Sequence, residues 1–118
     1  MANFNYNTLI LGGRLTADPE LKTSQSGKKV TQISIATNRP GKDSGTDFIN
    51  CVAWEKTAEL ICNYFKKGSS ICVTGPVQVR KYKDKNGNDR TATECIIEKV
   101  NFVESKNEGD AEDDSIPL

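Results

Sequence analysis

The chain contains no histidine and a single methionine, and its four cysteines, Cys51, Cys62, Cys72 and Cys95, include no C-x-x-C pair. Without imidazole, most acid–base and nucleophile–base catalysis loses its usual side chain. Without closely spaced ligand pairs, a zinc site lacks its signature. No enzyme activity, metal or other cofactor is therefore expected. Long apolar runs are missing too. Nothing approaches the roughly 18 apolar residues of a membrane span. The opening MANFNYN has no basic region followed by an apolar stretch, as a secretory leader would. These absences favour the cytoplasm, where disulfides are not expected and the cysteines serve as small core hydrophobes.

Net charge is also missing, since 16 Lys and Arg balance 16 Asp and Glu. The balance is uneven along the chain. Residues 1–103 carry 15 basic and 10 acidic side chains, while residues 104–118 carry one Lys and six acids. A body of +5 thus bears a tail of −5. A basic body points to a polyanionic partner. The acidic tail either visits the same surface or serves a basic partner protein. At 118 residues the chain is expected to form one domain with a real core.

Period-two alternation dominates the basic body. NTLILGGRL puts Leu9, Leu11 and Leu15 on one face of a strand. TADPELKTSQSGKK is turn-rich. VTQISIATNR sets Thr31, Ile33, Ile35 and Thr37 against Val30, Gln32, Ser34 and Ala36. TDFINCVAWEK, the third strand, places Ile49, Cys51 and Ala53 inward and Phe48, Asn50, Val52 and Trp54 outward. KTAELICNYFKKG is the one good helix, with Ala58, Ile61, Cys62 and Phe65 at helical spacing, Lys66 and Lys67 at its end and Gly68 just after it. SSICVTG is a fourth strand, interrupted by Pro76. VQVRKYKDKNGNDRTATECII reads as a hairpin turning at Asn86-Gly87, with Gln78, Arg80 and Tyr82 sharing a face. KVNFV closes the pattern, and apolar periodicity ends at residue 105.

The expectation is all-β with one helix: five or six strands, the helix between the third and fourth. That order is the one of an OB-fold, a Greek-key barrel. A six-strand sandwich with a stray helix fits the pattern alone as the alternative. The domain is placed at 1–104 and a disordered acidic tail at 105–118.

The outward residues carry the functional reading. Phe48, Asn50 and Trp54 of the third strand join Gln78, Arg80 and Tyr82 of the hairpin. Lys81 and Lys83 lie nearby, and Arg14, Lys28, Lys29 and Arg39 sit at loops or strand ends. Unpaired bases stack on aromatic faces, and cations track phosphates. Duplex bases are already stacked and gain little from such a platform. Each residue also has a plainer role. Trp54 and Phe48 can cap the barrel. Arg80 and Tyr82 can be ordinary cross-strand partners. The hairpin tip of mixed charge can be a solvated turn.

Several stretches resemble the bacterial and phage single-stranded DNA-binding protein family: LGGRLTADPELK, SGKKV, TDFINCVAWEKTAELICNYFKKGSSICVTG, VRKYKDKNGNDR and the terminal DDSIPL, in the family's order over nearly the whole chain. The resemblance implies an OB-fold, usually a homotetramer, that binds single-stranded DNA without sequence preference. It also implies a role in DNA replication, recombination and repair, with an acidic C-terminal tip docking on the proteins of those processes. Carried across, the family's stacking aromatics fall on Phe48, Trp54 and Tyr82, and a basic strand position on Arg80, with Gln78 at another. The tip Asp113, Asp114, Ile116, Pro117 and Leu118 becomes the partner-binding element. Location would be cytoplasmic and nucleoid-associated, or the host cytoplasm for a phage protein. The chain departs from the pattern at Gly41, where some members carry an aromatic, in its very short link to the tail, and in ending on Leu118 where Phe is usual. The competing reading is an OB-fold protein–protein adaptor with weak nucleic-acid binding. A nuclease on the same barrel would need a carboxylate set that the strands do not cluster, and RNA is an open variant of the ligand.

Overall fold

In β3 (Lys29–Asn38) the alternation acts as expected: Thr31, Ile33 and Ile35 are buried while Gln32 between them is exposed. The buried Thr31 hydroxyl is satisfied by donating to the Glu20 carbonyl at 2.8 Å. The computed structural model describes residues 4–41 and 44–101. The tail boundary and the tip residues Asp113, Asp114, Ile116, Pro117 and Leu118 lie outside the described residues.

The remaining elements are β1 (Leu9–Leu15), β2 (Lys22–Thr23), β4 (Thr46–Trp54), α1 (Glu55–Tyr64), β5 (Ser70–Gly75), β6 (Val77–Lys83), β7 (Asp89–Ile96) and β8 (Lys99–Asn101). The four apolar strands and the helix stand where the sequence pattern places them. β2 is a two-residue addition that pairs with β3. The fold is the mostly-β, one-helix architecture of an OB-fold.

Closure of the sheet comes from one bent segment. The end of β7 pairs in parallel with β4, Cys51 opposite Cys95 and Val52 opposite Ile96. Its continuation, β8, pairs antiparallel with β5. At the bend the Ile97 N–H donates to the Val52 carbonyl and the Glu98 N–H to the Thr74 carbonyl. One stretch of chain therefore touches both ends of the strand order β4-β3-β1-β5 and closes it into a ring. Two close approaches, one at this crossing and one between β1 and β3, demand glycine. A Cβ on Gly75 would collide with the Ile96 carbonyl, and one on Gly13 with the Ala36 carbonyl.

The core fills the barrel with Leu11, Leu15, Ile33, Ile35, Cys51, Ala53, Ile71, Val73, Cys95 and Ile97, and α1 closes one end with Ala58 and Ile61, joined by Phe65 just past its last turn. Two sequence expectations shift. Gly68 does not cap the helix, which ends at Tyr64. Phe65 is extended and buried, and Gly68 instead lies in a turn docked on β1, its N–H donating to the Leu15 carbonyl at 2.9 Å. Bringing Phe65 into the core ends the helix a turn early. Asn86-Gly87 is not a two-residue turn either. The Asp84 carbonyl accepts the Gly87 N–H, and the Asp84 N–H donates to the Asn88 carbonyl, with Gly87 at φ 83. This is a type I turn completed by a left-handed glycine. Ser24 to Lys28 repeats the construction, with Gly27 at φ 87.

Candidate nucleic-acid interface

The outward faces of β3 and β4 form the floor of a cleft, and the β6–β7 hairpin forms one wall. Antiparallel register sets the rows. Trp54 faces Val30, Val52 faces Gln32, Asn50 faces Ser34, and Phe48 faces Ala36, which in turn faces Arg14 of β1. The hairpin arm turns Gln78, Arg80 and Tyr82 into the same cleft, while Val79 points to solvent. The cleft runs from Trp54 past Arg80 to Tyr82. The three aromatics keep substantial exposure: Phe48 64%, Tyr82 42% and Trp54 41%. For a tryptophan at the end of a strand, 41% excludes a core role. Val52 shares the outward face but is buried, because the parallel register sets Ile96 beside it. Val30, Val52 and Ile96 make an apolar floor below Trp54.

Of the sequence-selected residues, Phe48, Asn50, Trp54, Gln78, Arg80, Tyr82 and Arg14 lie on this face. Arg14 also donates to the Gly68 carbonyl at 3.1 Å. Lys29 does not. Alternating with Val30, it is turned to the helix side, where its Nζ meets Glu59 at 2.8 Å. That bond holds its pKa above the ordinary lysine value. Arg39 is held by Asp47 through a fork of contacts at 2.9 to 3.2 Å. The hydrogen bond raises the arginine pKa and lowers that of the carboxylate. Lys83 pairs with Asp89 at 2.6 Å. Lys81 and Lys28 are exposed, and neither forms an ion pair with a described residue.

Sequence reasoning missed Glu94. Its side chain is 9% exposed and grips Arg80: Nη2 donates to Oε2 at 3.0 Å and Nε to Oε1 at 3.4 Å. The Arg80 guanidinium carbon also lies 5.2 Å from the centre of the Tyr82 ring, within cation–π range. The Glu94 hydrogen bond is the main cause that raises the Arg80 pKa. Hairpin register was the available signal, since a turn at Asp84–Asn88 puts Glu94 opposite Gln78 and diagonal to Arg80. With Asp18 and Glu20 on the far wall, carboxylates outnumber the cations Lys22 and Arg80 among the described residues lining the cleft. A uniformly basic channel, the simplest inference from a basic body, is not what these residues build.

Among the described residues no group of His, Cys, Asp and Glu side chains is placed to hold a metal ion. What the cleft offers is aromatic faces, amides at Asn50, Gln32 and Gln78, and one fixed guanidinium. That set suits flat, polar-edged ligands of the kind unstacked bases provide.

Comparison with known proteins points the same way. The profile of the Single-strand binding protein family matches residues 6–103. The chain is 44% identical over 107 residues to Single-stranded DNA-binding protein 3 of Listeria innocua, covering 87% of this chain and 67% of that protein. It is 45% identical over 106 residues to the Single-stranded DNA-binding protein of Fusobacterium nucleatum, covering 85% and 68%. It is 41% identical over 112 residues to Single-stranded DNA-binding protein 1 of Staphylococcus aureus, covering 92% and 72%. The matched stretch thus spans about two thirds of the length of these relatives.

Proposed function

The chain belongs to the single-strand binding protein family, a family of non-enzymatic DNA-binding proteins, and from that premise we propose that it coats single-stranded DNA without sequence preference, with bases in the cleft between Trp54 and Tyr82. The observation that carries this reading is the convergence of Trp54, Asn50, Gln78, Arg80 and Tyr82, from two separate strands, on one cleft. Phe48 extends the platform along β4. Lys22 at the cleft edge and the exposed Lys28 serve the phosphates, Lys81 and Lys83 on the Val79 side of β6 serve a strand that continues round the hairpin, and Arg14 supports the Phe48 end. Lys29 and Arg39 act in the fold through Glu59 and Asp47.

Three further parts belong to the proposal. The coated DNA is that of replication, recombination and repair, in the cytoplasm. Residues 1–104 are the DNA-binding domain and 105–118 a tail, whose tip Asp113, Asp114, Ile116, Pro117 and Leu118 recruits proteins of those processes. The assembly is a homotetramer formed partly through the N-terminal strand. Support for the last is local. Register with β3 covers only Arg14 and Leu15, Ile10 is 70% exposed, and Tyr6 is 83% exposed.

Titration with oligo-dT while following Trp54 fluorescence tests the reading. Binding with strong quenching is expected, because a base stacked on the only tryptophan alters its emission. No binding to oligo-dT at low salt would overturn the reading in favour of a protein–protein adaptor.

A further inference from the structure

Among the described residues Arg80 is the one cation fixed in the middle of the cleft, and a cation there would ordinarily be assigned to a phosphate. Its surroundings argue otherwise. Glu94 takes two of its N–H edges and matches its charge. That carboxylate is nearly buried, so it cannot swing away into solvent to release the guanidinium. Withdrawing Arg80 would leave Glu94 buried without its partner, which is costly. On the other side the guanidinium lies over Tyr82. A planar cation held this way is a π-surface with a spare donor edge at Nη1.

Resting on the ssDNA-binding reading above, we propose that Arg80 contacts a base and not the DNA backbone, and that Glu94 is the positioning residue that makes it do so. The pair and Tyr82 form one composite platform. A base stacks on its face, and an acceptor on a base edge can take the Nη1 hydrogens. The carboxylate does a second thing. It cancels the Arg80 charge, and with Asp18 and Glu20 against Lys22 elsewhere in the lining the cleft is left slightly acidic. Phosphates are excluded from the floor and held to the lysines of the rim, so the strand enters with its bases inward. A cleft floor lined with free arginines would admit phosphate and base alike. The Glu94 pair removes that ambiguity while leaving a cation-derived stacking surface in place.

Salt dependence separates the two roles, because each phosphate contact contributes about −0.7 to the log–log slope of affinity against salt for a single strand. The full chain is titrated with labelled oligo-dT at several salt concentrations, for the wild type, Arg80→Gln and Glu94→Gln, with thermal melts alongside. Arg80→Gln is expected to lower affinity about tenfold at every salt concentration with the slope unchanged. Glu94→Gln frees a guanidinium and is expected to steepen the slope by about 0.7 while tightening binding at low salt. A slope that becomes shallower by about 0.7 in Arg80→Gln makes Arg80 a phosphate contact and overturns the proposal. An unchanged slope in a folded Glu94→Gln overturns the role of Glu94. Arg80→Gln leaves the nearly buried Glu94 without its counter-charge, so the double variant Arg80→Gln/Glu94→Gln, which leaves no unpaired charge, is measured as well; it is expected to keep the wild-type slope, and a slope shallower by about 0.7 overturns the proposal. Failure of the wild type to bind oligo-dT sinks the functional reading itself, an outcome distinct from binding with the wrong slopes.

Discussion

Trp54 ends β4 and stands in the N-cap position of α1, extended at φ −120° and ψ 152°, with no side-chain capping bond. Trp54 is 41% exposed and lines the cleft, which leaves its ring accessible to a ligand. Trp54→Ala is expected to cost about 1–3 kcal/mol in oligo-dT binding and to leave the melting temperature nearly unchanged. A large drop in melting temperature with binding intact would put the ring in the service of the fold. Cys51 shows the opposite kind of residue. Burial, with the neighbouring Cys95 adding to it, pushes its thiol up to about 12. A folded pKa raised this far means the thiol's contribution to stability is complete below the ordinary cysteine value and is lost only as pH rises toward 12. At pH near 8 the thiolate is scarce. Alkylation followed by mass spectrometry should modify Cys62 and Cys72, which are partly exposed, before Cys51 and Cys95. Early labelling of Cys51 in the folded protein would contradict the packing described.

The hairpin β6–β7 is the element on which the cleft depends, and Asp84 organises its tip. One carboxylate oxygen accepts the N–H groups of Asn86 and Asn88 at 2.9 Å, and the other accepts from Arg90 at 2.8 Å. The Arg90 bond first, then the backbone N–H of Asn88, hold the Asp84 pKa below the ordinary carboxylate value. A depressed folded pKa gives the tip stability that is complete above the unfolded value and is lost as pH falls through the folded one. The protection of the Asn86 and Asn88 amides, taken relative to the intrinsic exchange rate at each pH, should be high at neutral pH and fall as the pH drops below the ordinary carboxylate range. Asp84→Asn should remove that pH dependence and speed exchange at neutral pH. An Asp84→Asn tip that exchanges as slowly as wild type would show the carboxylate to be dispensable.

For the whole molecule, the charge asymmetry sets the expectation. The acids at 108, 110, 112, 113 and 114 are proposed to compete weakly with DNA for the basic body. Ile116 and Leu118 are the proposed anchors in an apolar pocket of a partner, and Pro117 limits the entropy lost on docking. Removing residues 108–118 should tighten oligo-dT binding, most at low salt, and abolish capture of replication and repair proteins. Removing only Ile116 to Leu118 should abolish capture and keep most of the competition. Leu118→Phe should hold or strengthen docking through the larger apolar area. If the three-residue truncation captures the same proteins as the intact chain, the tip is not the docking element. Light scattering should return a tetramer mass, and a monomer at micromolar concentration would end the assembly proposal.

Period-two patterning alone determined which face of each main strand is buried, because one face must meet the core and the other cannot. Ile33 and Ile35, Cys51 and Ala53, Ile71 and Val73 all went inward as their spacing required. The same alternation places Phe48 and Trp54 outside. Local chemistry also determined that a turn lies at Asn86-Gly87, though not its type. Long-range register decided the rest. Val52 is outward by alternation and buried by Ile96, a residue far along the chain that parallel pairing brings alongside. Lys29, free by sequence, is claimed by Glu59 from the helix. Gly68 ends no helix, because Leu15 draws it into a docked turn. Glu94 carried no local signal, being an acid within a strand. It became the partner of Arg80 when the hairpin register set them diagonally on adjacent strands, and that register follows from the turn type, which the residues at Asn86-Gly87 alone left open.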